Sequence, residues 1–181
     1  MNEQNTNTGV TYGLIAGLSL IVLTVLLYLG GVEYFLGPFA YTSYIIVIVL
    51  AVLAALKKKK LNGGYLPFAE ALKITFSVFA IAFLAQVLFN YILMNFIDTG
   101  FRDALTQATY DKMESMMRRF GATDEQIDKQ LDAAMKDNPH SIKNAMLGYA
   151  IWCIVFFLVS LIISAIVKKN KPEFENSFNQ S

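Results

Sequence analysis

The sequence is poor in the residues on which soluble enzymes and secreted domains depend. Only 16% of its 181 residues are charged, whereas soluble domains average about 25%, so we expect no water-soluble fold. A single cysteine, Cys153, excludes an intrachain disulfide. One cysteine and one histidine, His140, cannot complete a tetrahedral zinc shell. The net charge of +1 gives no basic field, and we expect no nucleic-acid partner.

The sequence does contain four long apolar runs. Residues 4–32, 34–56, 74–97 and 144–167 have no Asp, Glu, Lys or Arg. Each run exceeds the roughly 20 residues that a helix needs to cross a bilayer core, and none alternates as barrel strands do. The first run has no basic residue before it, so we expect a retained helix and not a cleaved signal peptide. The pattern predicts an all-α integral membrane four-helix bundle.

Turn and breaker residues divide the chain further. The predicted segments are an N-terminal tail (1–9), membrane helices at 10–30, 38–56, 71–97 and 145–167, a basic loop (57–70), an outer segment (98–143) and a C-terminal tail (168–181). Apolar spacing in the outer segment predicts two amphipathic helices, with a capping box at Thr123–Asp124–Glu125–Gln126 opening the second. We expect them to pack as an extracytoplasmic hairpin or to lie on the membrane surface.

Basic residues predict the orientation of the spans. Lysines follow the second span directly, and Lys168, Lys169 and Lys171 follow the fourth. With four spans both clusters share one side, which the positive-inside rule assigns to the cytoplasm together with both termini. Aromatic residues gather at the opposite ends of the spans, where headgroups favour them; they are Tyr28, Tyr34, Tyr41, Tyr44, Tyr91, Tyr149 and Trp152.

Small and polar residues inside the spans predict where helices meet. Gly9, Gly13 and Gly17 form a row that permits close packing in lipid, either within the chain or as a homodimer face. The spans also contain two pairs of polar residues, Gln86 with Asn90 and Ser160 with Ser164. The members of each pair are four residues apart and therefore share one helix face. They form either an interhelical hydrogen-bond clamp or the lining of a ligand or ion path. No span has an Asp, Glu, Lys, Arg or His at its centre, which argues against a proton-coupled pump built from this chain alone.

Two surfaces are candidates for contacts outside the bundle. The basic cluster, which serves as a topology determinant or binds anionic lipid headgroups, comprises Lys57, Lys58, Lys59 and Lys60. The apolar stripe of the outer helices, which is a buried seam or a partner surface, comprises Leu105, Met113, Met117, Ile127, Leu131 and Met135.

No motif points to catalysis or to a cofactor. The chain has no H-E-x-x-H, phosphate-binding glycine loop or G-x-S-x-G. Met113, Met116 and Met117 offer soft ligands for Cu(I), but they follow an apolar helix stripe on which methionine is an ordinary packing residue. We therefore expect no enzyme, no cofactor and no metal site.

Three stretches carry a resemblance to a known family. They are GGYLPFAEALK (63–73), FGATDEQIDKQL (120–131) and IISAIVKKNK (162–171). In these the chain resembles a bacterial family catalogued as domain of unknown function 4199, and the likeness covers nearly the whole chain. The resemblance implies a four-span protein of the bacterial inner membrane and brings no functional residues.

The sequence thus predicts a multi-pass inner-membrane protein with a structural or accessory role. The alternative is a component of a small oligomeric transporter or channel. Its expected partners are the lipid bilayer and either another membrane protein or further copies of the chain.

Overall fold

The computed structural model describes residues 7–136 and 139–171 of the chain. Its helices are α1 (Asn7–Leu29), α2 (Val32–Phe35), a 3-10 turn (Pro38–Tyr41), α3 (Thr42–Leu61), α4 (Phe68–Ile92), a π turn (Leu93–Ile97), α5 (Thr99–Arg119), α6 (Asp124–Lys136) and α7 (Ile142–Val167). The described residues contain no strand, only one isolated bridge between Leu66 and Lys169. The all-α class predicted from the sequence is confirmed.

Four helical segments are long and apolar enough to cross a membrane. They are Thr8–Leu29, Pro38–Leu61, Phe68–Ile97 and Ile142–Val167. Large apolar side chains cover their outer surfaces; Leu18, Leu29 and Ile166, for example, are 65%, 73% and 77% exposed. A helix satisfies its own backbone groups and can present such side chains to lipid. The chain is therefore a four-span membrane protein, as its composition predicts.

Helix α4 lies at the centre of the bundle and packs against α1, α3 and α7. Small side chains fill much of the contact region, and Ala51, Ala54 and Ala55 of α3 and Ala71 of α4 are fully buried. Lipid gives helices no hydrophobic reason to associate, so close van der Waals packing has to hold them together. Small residues make that packing possible around α4.

The glycine row of α1 faces α4. A Cβ atom placed on Gly13 would lie 2.9 Å from Ile81 Cβ, and one on Gly17 would lie 3.0 Å from Ala85 Cβ. At Gly9 the nearest atom would be Ser77 Cβ, at 3.1 Å. The structure thus uses the row for a contact within the chain, because its backbone approaches α4 more closely than a side chain would allow.

The lysine-bearing end of the bundle is closed by backbone hydrogen bonds. Leu66 N–H donates to Lys169 O, and Lys169 N–H donates to Leu66 O, each over 2.8 Å. Helix α3 continues through the four lysines to Leu61, so they occupy its last turns and not a loop. Basic side chains at this position complement the negative end of the helix dipole, which explains why the helix is longer than its apolar run.

Helix α5 lies against the opposite ends of the spans. Leu105 is buried in a cluster with Leu93 and Met94. Asp98 caps the helix, since its carboxylate accepts from Phe101 N–H at 2.8 Å and from the Tyr28 hydroxyl at 2.8 Å. Both hydrogen bonds lower the pKa of Asp98, the first more than the second.

A short turn connects α5 with α6. Gly121, at a φ of 82°, adopts the left-handed conformation that ends many helices. Thr123 and Gln126 form the predicted capping box, with Thr123 N–H donating to Gln126 Oε1 at 3.1 Å and Gln126 N–H donating to Thr123 Oγ at 3.4 Å. The Tyr110 hydroxyl also donates to Ala134 O at 3.2 Å. The extracytoplasmic hairpin as a unit stays a prediction.

The glycine contact predicts opposite effects of one substitution at two glycines. We expect Gly13→Ala to lower the free energy of unfolding by about 1–3 kcal/mol, because the new methyl group overlaps Ile81. At Gly148 of α7 a Cβ meets no atom within 4 Å, so Gly148→Ala should stabilise by about 0.5–1 kcal/mol through helix propensity alone. Unfolding of both variants in mild detergent checks this, and equal effects at the two positions would contradict the packing described.

Candidate ligand-binding site

A cavity of about 560 Å³ lies between α3, α4 and α7 at the end of the bundle that bears α5. Leu105 of α5 and His140, in the turn before α7, line its outer side. Gly148 lines it from α7 and leaves open space where a side chain would stand. Cavities of this size, with apolar walls and a few polar groups, are typical of small-molecule sites. This cavity is the candidate functional site.

One wall of the cavity consists of aromatic rings from three helices. Tyr44 of α3 lies 5.7 Å from Phe83 of α4 and 5.5 Å from Trp152 of α7, between ring centroids. Phe156 stacks on Phe83 at 4.1 Å and lies 5.7 Å from Trp152. We refer to Tyr44, Phe83, Trp152 and Phe156 as the aromatic wall. Such rings provide a rigid surface that stacks on flat apolar groups.

Amide side chains of α4 and the π turn add polarity to the cavity. Gln86 Nε2 donates to Thr24 Oγ of α1 at 3.4 Å. Asn95 Nδ2 donates to Tyr91 O at 2.9 Å and to His140 O at 3.0 Å. The buried Oδ1 of Asn90 has no hydrogen-bond partner in the described part of the chain. A buried oxygen left without a donor is costly, which distinguishes Asn90 from the other amides of the lining.

His140 links the outer rim of the cavity to α5. Its Nε2 lies 2.9 Å from Thr106 Oγ, and the Thr106 hydroxyl donates its hydrogen to Arg102 O at 2.8 Å. The donor in this hydrogen bond depends on the tautomer of the ring. Burial lowers the pKa of His140, nearby Arg102 lowers it further, and Asp103 acts in the opposite direction. The imidazole at this rim is neutral at pH 7.

The cavity ends at a densely packed floor. Phe79 of α4 stacks on Phe156 at 5.4 Å, and both are at most 3% exposed. Towards the lysine-bearing end follow Thr75, Ser160 and Ser164, which are fully buried. Thr75 Oγ and Ser164 Oγ lie 3.2 Å apart and share a hydrogen bond. These five residues are called the floor below.

The structure separates the four intramembrane polar residues that the sequence singled out. Gln86 and Asn90 line the cavity, as the ligand-path interpretation requires. Ser164 bonds Thr75 within the floor, as the clamp interpretation requires, although its partner is not one of the predicted pair. Ser160 Oγ is buried and has no partner within residues 7–136 and 139–171. Gln86 and Ser164 thus make interhelical hydrogen bonds, Asn90 lines the cavity, and Ser160 fits neither interpretation, so the choice between clamp and path stays a prediction.

Sequence reasoning missed the aromatic wall and His140 as neighbours of these amides. Asn144, Gly148, Trp152 and Phe156 follow one another at intervals of four residues, which places them on one face of α7. From the sequence, that spacing indicates that the four residues are neighbours on α7. Headgroup anchoring alone also accounts for tyrosine and tryptophan at one end of the spans, so their clustering does not by itself predict the aromatic wall.

The four consecutive lysines make different contacts. Lys58 is 1% exposed, and its Nζ lies 3.4 Å from Glu70 Oε1. Lys59 Nζ donates to Val167 O at 2.7 Å, whereas Lys57 Nζ lies 5.5 Å from the centre of the Tyr12 ring. Lys60 is exposed. Lys58 and Lys59 tie α3 to α4 and α7, which leaves Lys57 and Lys60 best placed for lipid headgroups.

The predicted stripe of the outer helices is partly covered within the chain. Leu105 and Ile127 are 6% and 2% exposed. Met113, Met117 and Leu131 are half-buried, and the side chain of Met135 lies outside the described part. Three half-buried residues are thus the described remainder of that candidate surface. No group of three His, Cys, Asp or Glu side chains close enough to hold a metal occurs among the described residues.

Comparison with known proteins gives one match. Residues 11–169 match the profile of a family described as "Protein of unknown function (DUF4199)". No curated protein and no solved structure is similar to the chain. The match agrees with the resemblance seen in the sequence.

The lowered pKa of His140 predicts a stability that depends on pH. The folded protein resists protonation of this ring, so the unfolded chain binds the extra proton as the pH falls below the usual value of 6.5. Stability should therefore be full well above pH 6.5 and decline as the pH falls through 6.5 towards the lowered pKa of the folded protein. We expect His140→Gln to remove most of this decline in thermal unfolding scans. Asp98 titrates only below its usual 3.8, outside this window, and an unchanged decline in the variant would contradict the assignment.

Proposed function

We propose that this chain, which belongs to the family DUF4199 of proteins of unknown function, has an accessory role. In that role it binds a small molecule in its cavity. The proposal is non-catalytic, because the cavity presents amides, aromatic rings and one neutral histidine, without a nucleophile activated by a base. This binding role is a more specific form of the accessory role that the sequence predicts.

The floor is the observation that carries this proposal. A channel or pore requires a continuous polar path across the bundle, but Phe79, Phe156, Thr75, Ser160 and Ser164 fill the space between the cavity and the lysine-bearing end. A cavity closed at one end suits a ligand that enters and leaves by the same side. Retention of a ligand therefore fits the arrangement better than conduction does.

A second candidate function is a component of a small transporter. The polar residues Gln86, Asn90 and Asn95 in the cavity favour it, because transported substrates bind at intramembrane polar groups. Transport would need the floor to open, with separation of the Thr75–Ser164 hydrogen bond and the Phe79–Phe156 stack. Binding without transport needs no such movement.

We further propose that the protein lies in a bacterial inner membrane with both termini in the cytoplasm. The lysines of α3 and those after α7 meet at one end of the bundle, where Lys59 contacts Val167 and Lys169 pairs with Leu66. The positive-inside rule assigns that end to the cytoplasm. The cavity then opens towards the extracytoplasmic half of the membrane, beneath α5.

Cysteine labelling tests the orientation. In a Cys153→Ser background, Ser115→Cys in α5 should react with a membrane-impermeant maleimide in intact spheroplasts, because α5 faces outward. Lys60→Cys should react only after the membrane is permeabilised. The reverse pattern would place the lysines outside and overturn the orientation.

The binding role is tested by filling the cavity. Gly148→Leu should occupy the space beside the aromatic wall and still fold, because a Cβ at this position meets no atom within 4 Å. Native mass spectrometry of the protein released from mild detergent should show an additional bound mass in the wild type that Gly148→Leu lacks. The control is Ala150→Leu, which adds the same bulk on the exposed side of α7 and should retain the bound mass. Equal spectra for all three proteins would contradict the binding role.

A further inference from the structure

We infer that the cavity takes an uncharged, lipophilic ring compound that carries a hydroxyl or N–H hydrogen-bond donor. This inference rests on the proposed binding role and adds the chemical class of the ligand. Three properties of the cavity lead to it: the charge of its lining, the shape of its aromatic wall and the unpartnered oxygen of Asn90.

The lining has no formal charge. None of the described residues around the cavity is Asp, Glu, Lys or Arg, and His140 is its only histidine. A charged ligand would leave water for a mostly apolar site whose lining contains no counter-ion, which costs more than the surrounding amides return. The cavity therefore selects against both carboxylates and ammonium groups.

The aromatic wall selects for a ring. Its four side chains come from α3, α4 and α7 and contact each other at centroid distances of 4.1 to 5.7 Å. Phe83 and Phe156 are at most 8% exposed, whereas Trp152 is 44% exposed and lines the cavity, so Trp152 and the half-buried Tyr44 present the accessible ring surface. A flat apolar ring gains most by stacking there.

Asn90 selects for a donor. Its side-chain oxygen is buried without a partner, whereas Gln86 and Asn95, which line the same cavity, have hydrogen-bond partners. This oxygen has almost no accessible surface, so the Asn90 amide has to rotate towards the cavity, which it lines, for a ligand hydroxyl or N–H group to satisfy it. A ring without a donor would leave it unsatisfied and lose the corresponding free energy.

Four small probes with one common skeleton test the inference on the purified full-length protein. They are 4-cyclohexylphenol, which is neutral and a donor; 4-cyclohexylanisole, neutral without a donor; 4-cyclohexylbenzoate, an anion; and 4-cyclohexylbenzylammonium, a cation. Binding is followed by the fluorescence of Trp152, the only tryptophan of the chain, and by the shift in thermal unfolding. Gly148→Leu corrects for partitioning into detergent, since its cavity is filled.

We expect the phenol to bind about three- to tenfold more tightly than the anisole, which is the range that one hydrogen bond provides. The anion and the cation should bind more weakly than either. The Asn90→Leu variant should still bind both the phenol and the anisole, but with equal affinity. The control Ser77→Ala removes a polar side chain of α4 that lies outside the cavity lining and the floor, and it should leave the preference unchanged.

Three results would overturn the inference: a preference for the anisole, binding of either ion as tight as that of the phenol, or a phenol preference that survives Asn90→Leu. Failure here is distinguishable from failure of the binding role. If the wild type carries a bound mass that Gly148→Leu lacks, yet no probe binds, the ligand class is wrong and the binding role stands. If neither experiment shows occupancy, both are wrong.

Discussion

The structure depends on how closely helices can approach α4 in a solvent that does not drive them together. Lipid provides no hydrophobic effect between helices, so the distance between backbones decides how strongly they associate. Near the lysine-bearing end that distance is short, because Ala51, Ala54 and Ala55 of α3 and Ala71 of α4 are all fully buried there. The glycine row of α1 also brings a third helix close to α4.

Towards the other end the residues between the helices become large. At this end the contacts between the helices are made by rings, whereas alanines and serines make them nearer the lysine-bearing end. The rings are Tyr44, Phe83, Trp152 and Phe156. These rings contact one another across α3, α4 and α7, and the cavity lies beside them. Gly148 of α7 leaves part of that space open, because it has no side chain to fill it.

Much of the fold could be predicted from the sequence. Four charge-free runs predict four spans because an unpaired charge in lipid is expensive, and the capping box at Thr123 predicts the start of α6 because local hydrogen bonds decide it. The extension of α3 through its lysines was not predicted, because the length of an apolar run does not locate the end of a helix that continues into charged residues. Here a charged residue of α3 contacts another helix: Lys59 donates to Val167 O of α7.

The site was predicted only in part. Gln86 and Asn90 stand out because amides are rare in apolar runs, but a sequence does not say whether an amide meets another helix or a cavity. That depends on the rotation of α4 against α7, which packing of the whole bundle decides. The spacing of Asn144, Gly148, Trp152 and Phe156 places them on one face of α7. That face predicts a part of the cavity lining only when α7 is known to pack against α4.

The central claim, that the cavity is a closed-ended binding site, is tested most directly by an electron-density or cryo-electron microscopy map of the protein in lipid nanodiscs, with a bound antibody fragment to add mass. The account predicts density that is not protein beside Trp152 and Asn90, and an unbroken floor at Phe79, Phe156, Thr75 and Ser164. A cavity collapsed by inward movement of the rings, or a continuous water-filled path through the floor, would contradict it.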